Sequence, residues 1–237
     1  MNPTSGVIRE ALDLYKKHFA HLFVVALVIY VVIAILTALA ALVGGAALVI
    51  VFPLAIIGLF LVQAALVEAV SDIRDGRADL SLGETVSRGA SRIAPVAGAS
   101  ILAGIAIAIG LIVFIIPGLV LLTWWAVIVP AIVLEGAGVF ASFSRSRNLV
   151  RGYDLQVFGV IVLTFLLLIV IDIVVGLILG LLPNAVQSFL SNILSGSLTG
   201  PLSALVTTLL YFRLKEAKEG RAGESPGATS PQPPLMA

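Results

Sequence analysis

The sequence contains no cysteine, only two histidines and few charged residues. Charged residues make up 11% of the 237 positions, whereas a soluble domain typically carries about 25%. Without cysteine, the chain has no disulfide framework, no thiolate nucleophile and no cysteine-ligated metal. The histidines, His18 and His21, both precede the first long apolar run, and no third ligand accompanies them. We therefore interpret them as interface residues rather than as a metal site.

Long apolar runs dominate the sequence, since hydrophobic residues make up 60% of the chain. A helix needs about 20 mainly apolar residues to cross a bilayer core of roughly 30 Å. The runs predict an all-α, polytopic integral membrane protein with six transmembrane helices. The predicted spans cover residues 19–43, 46–70, 94–116, 119–134, 157–182 and 198–212 of a single domain, 1–219. The Pro-, Gly- and Ser-rich remainder, 220–237, is predicted to be a disordered cytoplasmic tail.

Uncharged segments connect successive spans in pairs. Gly44-Gly45 separates the first two spans, and Pro117-Gly118 is predicted to turn the chain between the third and fourth. The segment from Pro183 to Gly200 carries no charge but many Ser, Asn and Gln side chains. It fits either an interfacial helix or the frayed start of the last span.

The basic residues predict the orientation. All fourteen Lys and Arg lie before span one, between spans two and three, between spans four and five, or after span six. The other three connections have none. Because basic residues mark the cytoplasmic side, both termini are predicted to be cytoplasmic. A chain of four or five spans would place basic segments on opposite sides.

Short amphipathic segments precede the outgoing spans. In residues 4–18, Val7, Ala11 and Tyr15 share one helical face, and apolar residues recur at the same spacing after the DGRAD sequence, which predicts a turn. These segments predict cytoplasmic amphipathic helices, lying either in the headgroup layer or against a neighbouring helix. The six spans, joined in pairs by uncharged turns, are thus predicted to form three hairpins of the same orientation. Whether LYKKHFAHLF (14–23) and LVRGYDLQVF (149–158) mark true repeats stays open.

The third span is rich in small residues. Ser100, Gly104 and Ala108 recur every four positions, as do Ala106 and Gly110. Small residues at this spacing allow helix backbones to approach closely in lipid. We therefore expect this span to lie in the middle of the bundle.

Several short motifs carry a family resemblance. They are ALDLYKKHF near the start, Ile116-Pro117-Gly118, Pro130 with Glu135, the run 142–152, and the closing 211–214. With them, the chain resembles the membrane domain attached to bacterial glycerophosphodiester phosphodiesterases and related stand-alone membrane proteins of unknown function. It departs from that pattern at Arg147 and Asp154, where the family usually has aromatic residues. The resemblance implies a fold and no activity.

No catalytic constellation accompanies these motifs. The phosphodiesterase to which such domains are attached would be a separate (β/α)-barrel that needs acids and histidines, and this chain has no room for it. No phosphate-binding Gly-rich loop and no Gly-flanked nucleophilic serine is present. We therefore expect a protein that is not an enzyme, with no cofactor and no nucleic-acid partner.

Asp172 is the main candidate site residue. It lies near the centre of span five, and no span contains a Lys or Arg that could pair with it. A carboxylate at mid-bilayer costs about 2.5–3.5 kcal/mol on insertion scales. With Thr164, Leu168, Gly176 and Gly180 it forms a narrow stripe of one residue about every helical turn, expected to face other helices. Hydroxyls of Thr123, Ser203 or Thr207 are the expected partners of Asp172. The stripe fits either a proton or cation site, or a protonated acid that holds helices together.

Two acids close returning spans on the predicted cytoplasmic side. Glu68 and Glu135 lie at the depth of nearby arginines, notably Arg145 and Arg151, so we interpret these residues as anchors of the hairpins. The basic interfacial helices are expected to attract anionic lipid, at about 1 kcal/mol per basic residue. The general bias of basic residues toward the cytoplasmic side explains the positions of these residues equally well.

These observations leave three functions. The first is a non-enzymatic plasma-membrane protein that binds or organises membrane lipids or a membrane protein partner. The second is a small transporter or channel that uses Asp172. The third is a membrane subunit of a lipid-related enzyme carried on another chain.

Overall fold

The computed structural model describes residues 3–74 and 80–223, and within these ranges every regular element is a helix. The helices are α1 (Val7–Lys17), α2 (Phe19–Val43), α3 (Gly45–Arg74), α4 (Leu82–Ser91), α5 (Ile93–Val113), α6 (Ile115–Trp124), α7 (Ile128–Glu135), α8 (Val139–Val150), α9 (Asp154–Leu179) and α10 (Asn184–Gly223). The predicted all-α class is confirmed. The predicted DGRAD turn (75–79) and most of the predicted disordered tail (224–237) lie outside the described residues.

Within the described ranges, six segments are long and apolar enough to cross a membrane, which is the number that the sequence predicts. They are Phe19–Val43, Val49–Arg74, Ile93–Val113, Ile115–Glu135, Asp154–Leu179 and Val186–Gly220. The fourth combines α6 and α7, which are separated by a break at 125–127. Six helices that could cross a membrane are consistent with the predicted multi-pass membrane protein.

The packed core occupies one half of the bundle. We call this half the basic end, because α1, α4, α8 and the last part of α10 meet there and carry most of the described Lys and Arg residues. Residues 62–73 of α3 and 202–214 of α10 supply much of its buried apolar surface. At the opposite, uncharged end, Leu42, Ile112 and Leu181 are each more than 80% exposed. Such apolar exposure suits contact with lipid.

The turn between the third and fourth spans lies at Phe114, not at Pro117-Gly118. Phe114 is extended, with φ −150° and ψ 127°, and α6 begins at the next residue. Pro117 then falls in the first turn of α6, where a helix needs no N–H partner. A Cβ on Gly118 would lie 2.5 Å from Leu111 Cγ, so this glycine serves packing against α5.

Most of the uncharged segment 183–200 is helical rather than frayed. From Asn184 onward it forms the start of α10, which continues through Pro201 and past Gly220 without interruption. Pro201 removes one backbone hydrogen bond, a loss that neighbouring helices compensate in membrane proteins. The helix that contains the predicted span 198–212 is therefore much longer than that span.

The third span is peripheral, contrary to the expectation from its small residues. Only Val96, Ala99 and Ala103 are buried in α5, and a Cβ on Gly104 would meet nothing within 4 Å. One close approach does occur, where Gly110 packs against the backbone of Gly118 in α6. Small residues permit close packing but do not require it, because lipid can occupy the same surface.

Candidate functional site

Asp172 is exposed on α9, and its carboxylate accepts a hydrogen bond from the Ser195 hydroxyl of α10. The three expected partners do not reach it. Thr123 donates within its own helix to the Leu119 carbonyl, and Thr207 does the same to Ser203. Ser195 lies in the polar segment whose structure the sequence left open, which is why the pair was missed.

The stripe around Asp172 packs only in part. Thr164 is buried and donates to the Val160 carbonyl of the same helix. A Cβ on Gly176 would meet nothing within 4 Å, and one on Gly180 would meet only carbonyls of α9 itself. The Gly-x-x-x-Gly pair therefore makes no helix–helix contact in this structure, and Asp172 with Ser195 is the polar contact that the stripe provides.

Tyr30 of α2 borders three cavities. One, of about 580 Å³, lies toward the uncharged end, and we call it the serine-rich cavity. It is lined by Tyr30, Gln187, Ser188, Ser191, Asn192, Ser195 and Gly196. Another, of about 310 Å³, lies toward the basic end, and we call it the Gln63 cavity. Its polar lining includes Tyr30, Gln63, Ser203 and Thr207. The third, of about 390 Å³, is mainly apolar.

A break in the fourth span forms part of the Gln63 cavity. Ala126 and Pro130 line it on either side of the start of α7. Ser146 of α8 holds the break, because its hydroxyl donates to the Trp124 carbonyl at 2.8 Å and accepts from the Val127 amide at 3.3 Å. Since Pro130 has no N–H, the Ala126 carbonyl lacks its usual helical donor. Broken helices of this kind are tolerated at membrane depth where they line a cavity.

A charged cluster joins α7, α8 and α10 at the basic end. Arg145 binds Glu135 through two nitrogens, at 2.7 and 2.6 Å, and reaches Glu219 at 3.0 Å. The Tyr211 hydroxyl donates to Glu135 at 2.5 Å, and Lys215 lies 3.2 Å from the same carboxylate. Hydrogen bonds to Glu135 and Glu219 raise the pKa of the Arg145 guanidinium.

Further ion pairs attach the remaining basic segments to α10. Arg74 at the end of α3 binds Glu216 at 2.5 Å and covers the Phe212 ring. Arg213 binds Glu10 of α1. Glu135 and Arg145, two of the residues interpreted as hairpin anchors, thus form an ion pair, and their anchoring role stays a prediction.

The other two predicted anchors, Glu68 and Arg151, make contacts of a different kind from the Glu135–Arg145 ion pair. The Glu68 carboxylate interacts electrostatically with the Arg88 and Arg92 side chains. Arg151 contributes its carbonyl, which accepts from Lys218 at 2.7 Å, and its side chain forms no salt bridge among the described residues. Its role as an anchor stays a prediction.

An apolar groove of about 460 Å³ separates α6 from α9. It is lined by Ile116, Leu119, Val120, Thr123, Trp124, Asp154, Leu155 and Phe158. At its polar end the Trp124 indole donates to Asp154 at 2.9 Å, and the Arg147 guanidinium lies 4.1 Å from the Trp124 ring centroid. Arg147 is exposed and forms no salt bridge to a described acid. Arg147 and Asp154 are the two positions at which the chain departs from the sequence pattern of the membrane domain that it resembles.

A family described as "Domain of unknown function (DUF7847)" matches residues 79–214. The matched region contains Asp172, the α6–α9 groove and most of the charged cluster, whereas Tyr30 and Gln63 precede it. The match gives no link to glycerophosphodiester phosphodiesterases. Neither a curated protein nor a solved structure matches the chain.

Proposed function

Because the chain belongs to the uncharacterised DUF7847 family, we propose its function from geometry: it is a non-enzymatic plasma-membrane protein that binds anionic phospholipid in the groove between α6 and α9. The observation that carries this proposal is an apolar groove whose polar end carries Arg147, an arginine that forms no salt bridge to a described acid. Acyl chains match the apolar walls, and Arg147 matches a phosphate.

The proposal includes an orientation. The spans form three hairpins, with α1, α4 and α8 as amphipathic helices at the cytoplasmic face of a bacterial plasma membrane and both termini in the cytoplasm. The positive-inside rule supports it, because Lys and Arg of separate sequence segments meet at one end of the bundle. Ion pairs from α3, α8 and α1 to α10 hold that end together.

The cysteine-free chain allows a direct test of this orientation. Asn184 and Ser144 are both exposed, at the uncharged and basic ends respectively. A membrane-impermeant maleimide added to intact cells is expected to label Asn184→Cys, and to label Ser144→Cys only after permeabilisation. The reverse pattern would invert the orientation, and labelling of both variants in intact cells would contradict the six-span topology.

The groove offers both parts of a lipid-binding site. Residues Ile116 to Trp124 extend along the groove by about 12 Å at 1.5 Å per residue, and they present apolar walls for an acyl chain. Asp154 also lies at the polar end, but its carboxylate already accepts from the Trp124 indole and from the Gly152 amide at 2.9 Å. The charge left for a ligand there is that of Arg147.

Native mass spectrometry tests the lipid. The protein is extracted in a gentle detergent and offered equal amounts of phosphatidylglycerol and phosphatidylcholine. Wild type is expected to retain phosphatidylglycerol stoichiometrically, and Arg147→Ala to lose about five- to tenfold in apparent affinity, the cost of about 1 kcal/mol expected for one basic group near a lipid surface. Arg9→Ala is the matched control, because Arg9 is exposed on α1, away from the groove.

The control separates a site from general basicity. Equal losses in both variants would reduce lipid binding to non-specific attraction by the basic end. Retention of phosphatidylcholine in equal amount would refute the role of Arg147. Copurification of a soluble enzyme with the lipid-free protein would instead favour a membrane subunit, the role to which the resemblance to phosphodiesterase-attached domains points.

A further inference from the structure

We propose that the cavities around Tyr30 form a gated path for a monovalent cation, with Asp172 at its uncharged end. This goes beyond lipid binding and uses other residues, since neither α6 nor the groove takes part. Its elements are the serine-rich cavity, the Gln63 cavity and the tyrosine ring between them.

The chemistry of the two cavities favours cations over anions. Among the described residues that line them, none is Lys, Arg or His, and the polar groups are hydroxyls and carboxamides. Asp172 adds a carboxylate through its hydrogen bond from Ser195, a lining residue of the serine-rich cavity. A carboxylate in a low-dielectric setting attracts cations and repels anions. An anion would find no positive partner along this route.

The number of carboxylates favours a monovalent ion. Divalent Mg²⁺ and Ca²⁺ are held through carboxylates, usually several for Ca²⁺, together with other oxygen ligands. Here one carboxylate lies at the serine-rich cavity, and the Gln63 cavity offers only neutral groups from Tyr30, Gln63, Ser203 and Thr207. Neutral oxygens bind weakly enough to let an ion leave, which conduction requires. The Ala126 carbonyl, which lacks a donor from Pro130, adds one more neutral oxygen at this wall.

Tyr30 closes the path by contact with α10. A Cβ on Gly196 would lie 2.5 Å from the Tyr30 ring, so the ring packs directly against the helix backbone. The same side chain borders Gly200 one turn further along, at 3.8 Å from its built Cβ. Tyr30 is also the residue that lines both cavities. In the proposed path, rotation of its side chain connects them.

Tracer uptake into vesicles tests the path. The full chain is reconstituted into phosphatidylcholine–phosphatidylglycerol vesicles, and uptake of radioactive Na⁺, Rb⁺ and Cl⁻ is compared with that of protein-free vesicles. Removal of the closing ring in Tyr30→Ala is expected to raise cation uptake about tenfold over wild type, and Asp172→Asn in that background to reverse most of the gain, as expected for a charge that concentrates cations locally. Chloride uptake should not change.

Each outcome decides the proposal. Asn at 172 keeps a hydrogen-bond acceptor for Ser195, so a lost flux in a monodisperse Asp172→Asn protein reports charge rather than misfolding. Asp13→Asn, an exposed acid of α1, controls for net charge and should leave uptake unchanged. Uptake no faster than in protein-free vesicles for both wild type and Tyr30→Ala, with Tyr30→Leu as a second variant, would overturn the path. Equal chloride uptake, or undiminished uptake in Asp172→Asn, would also overturn it.

Discussion

Replacing Glu135 by alanine is expected to lower the free energy of unfolding by about 2–3 kcal/mol, because hydrogen bonds to charged groups contribute about 1.5–3 kcal/mol each and do not add fully. Glu135 accepts from Arg145 through two nitrogens and from the Tyr211 hydroxyl. Its side chain is 21% exposed, so solvent reduces the effect below that of a fully buried pair. The variant also leaves Arg145 and Lys215 near each other without their shared anion.

A more exposed pair supplies the control for this prediction. Glu216 binds Arg74 at 2.5 Å, but its side chain is 64% exposed. Glu216→Ala is therefore expected to cost less than about 1 kcal/mol, as exposed ion pairs usually do. Glu135→Gln, which still accepts from Tyr211, should fall between the two. Unfolding in mixed detergent, followed by the fluorescence of Trp124 and Trp125, measures all three.

The order of these three variants is the informative result. If Glu135→Ala cost no more than Glu216→Ala, the cluster would be a solvated surface feature. In that case the packing of α7 against α8 and α10 would depend on apolar contacts alone. A reduced loss at high salt would indicate the same, because salt screens exposed pairs more than buried ones.

Length, hydropathy and charge predicted the six spans because each property is local in the sequence. The pairing of Glu135 with Arg145 was also within reach, since Glu135 closes the fourth span and Arg145 lies at a similar depth. The lateral arrangement of the helices could not be predicted from the sequence. In a bilayer, lipid and neighbouring helices are equally apolar, so the composition of α5 cannot tell which face packs.

Asp172 shows the same limit for a polar residue. Its partner depends on how far α9 is shifted along α10, and that shift is set by packing between residues that are distant in the sequence. The sequence placed the partner among Thr123, Ser203 and Thr207, whereas the structure places Ser195 there. Tyr30 itself carried no signal, because one tyrosine in an apolar helix resembles an ordinary interface residue.

Gly89→Ala is expected to destabilise the protein by about 3 kcal/mol, the upper part of the usual range for overpacking a well-packed site. A Cβ on Gly89 would lie 2.7 Å from the Ala65 backbone nitrogen and 2.9 Å from its Cα. Both are backbone atoms of α3, in a segment whose side chains are buried on every side. No side-chain rotation can relieve the contact, so α4 has to move away from α3.

The same helix provides a matched control in Gly83, where an added Cβ would meet nothing within 4 Å. Gly83→Ala is expected to stabilise the protein by about 0.5–1 kcal/mol, because alanine loses less backbone entropy in a helix than glycine. The two substitutions are chemically identical and lie in one helix, so opposite signs in thermal unfolding would report the distance between α4 and α3. Equal effects would mean that α4 does not pack on Ala65. The proximity of Arg88 and Arg92 to Glu68, which depends on that packing, would then be lost as well.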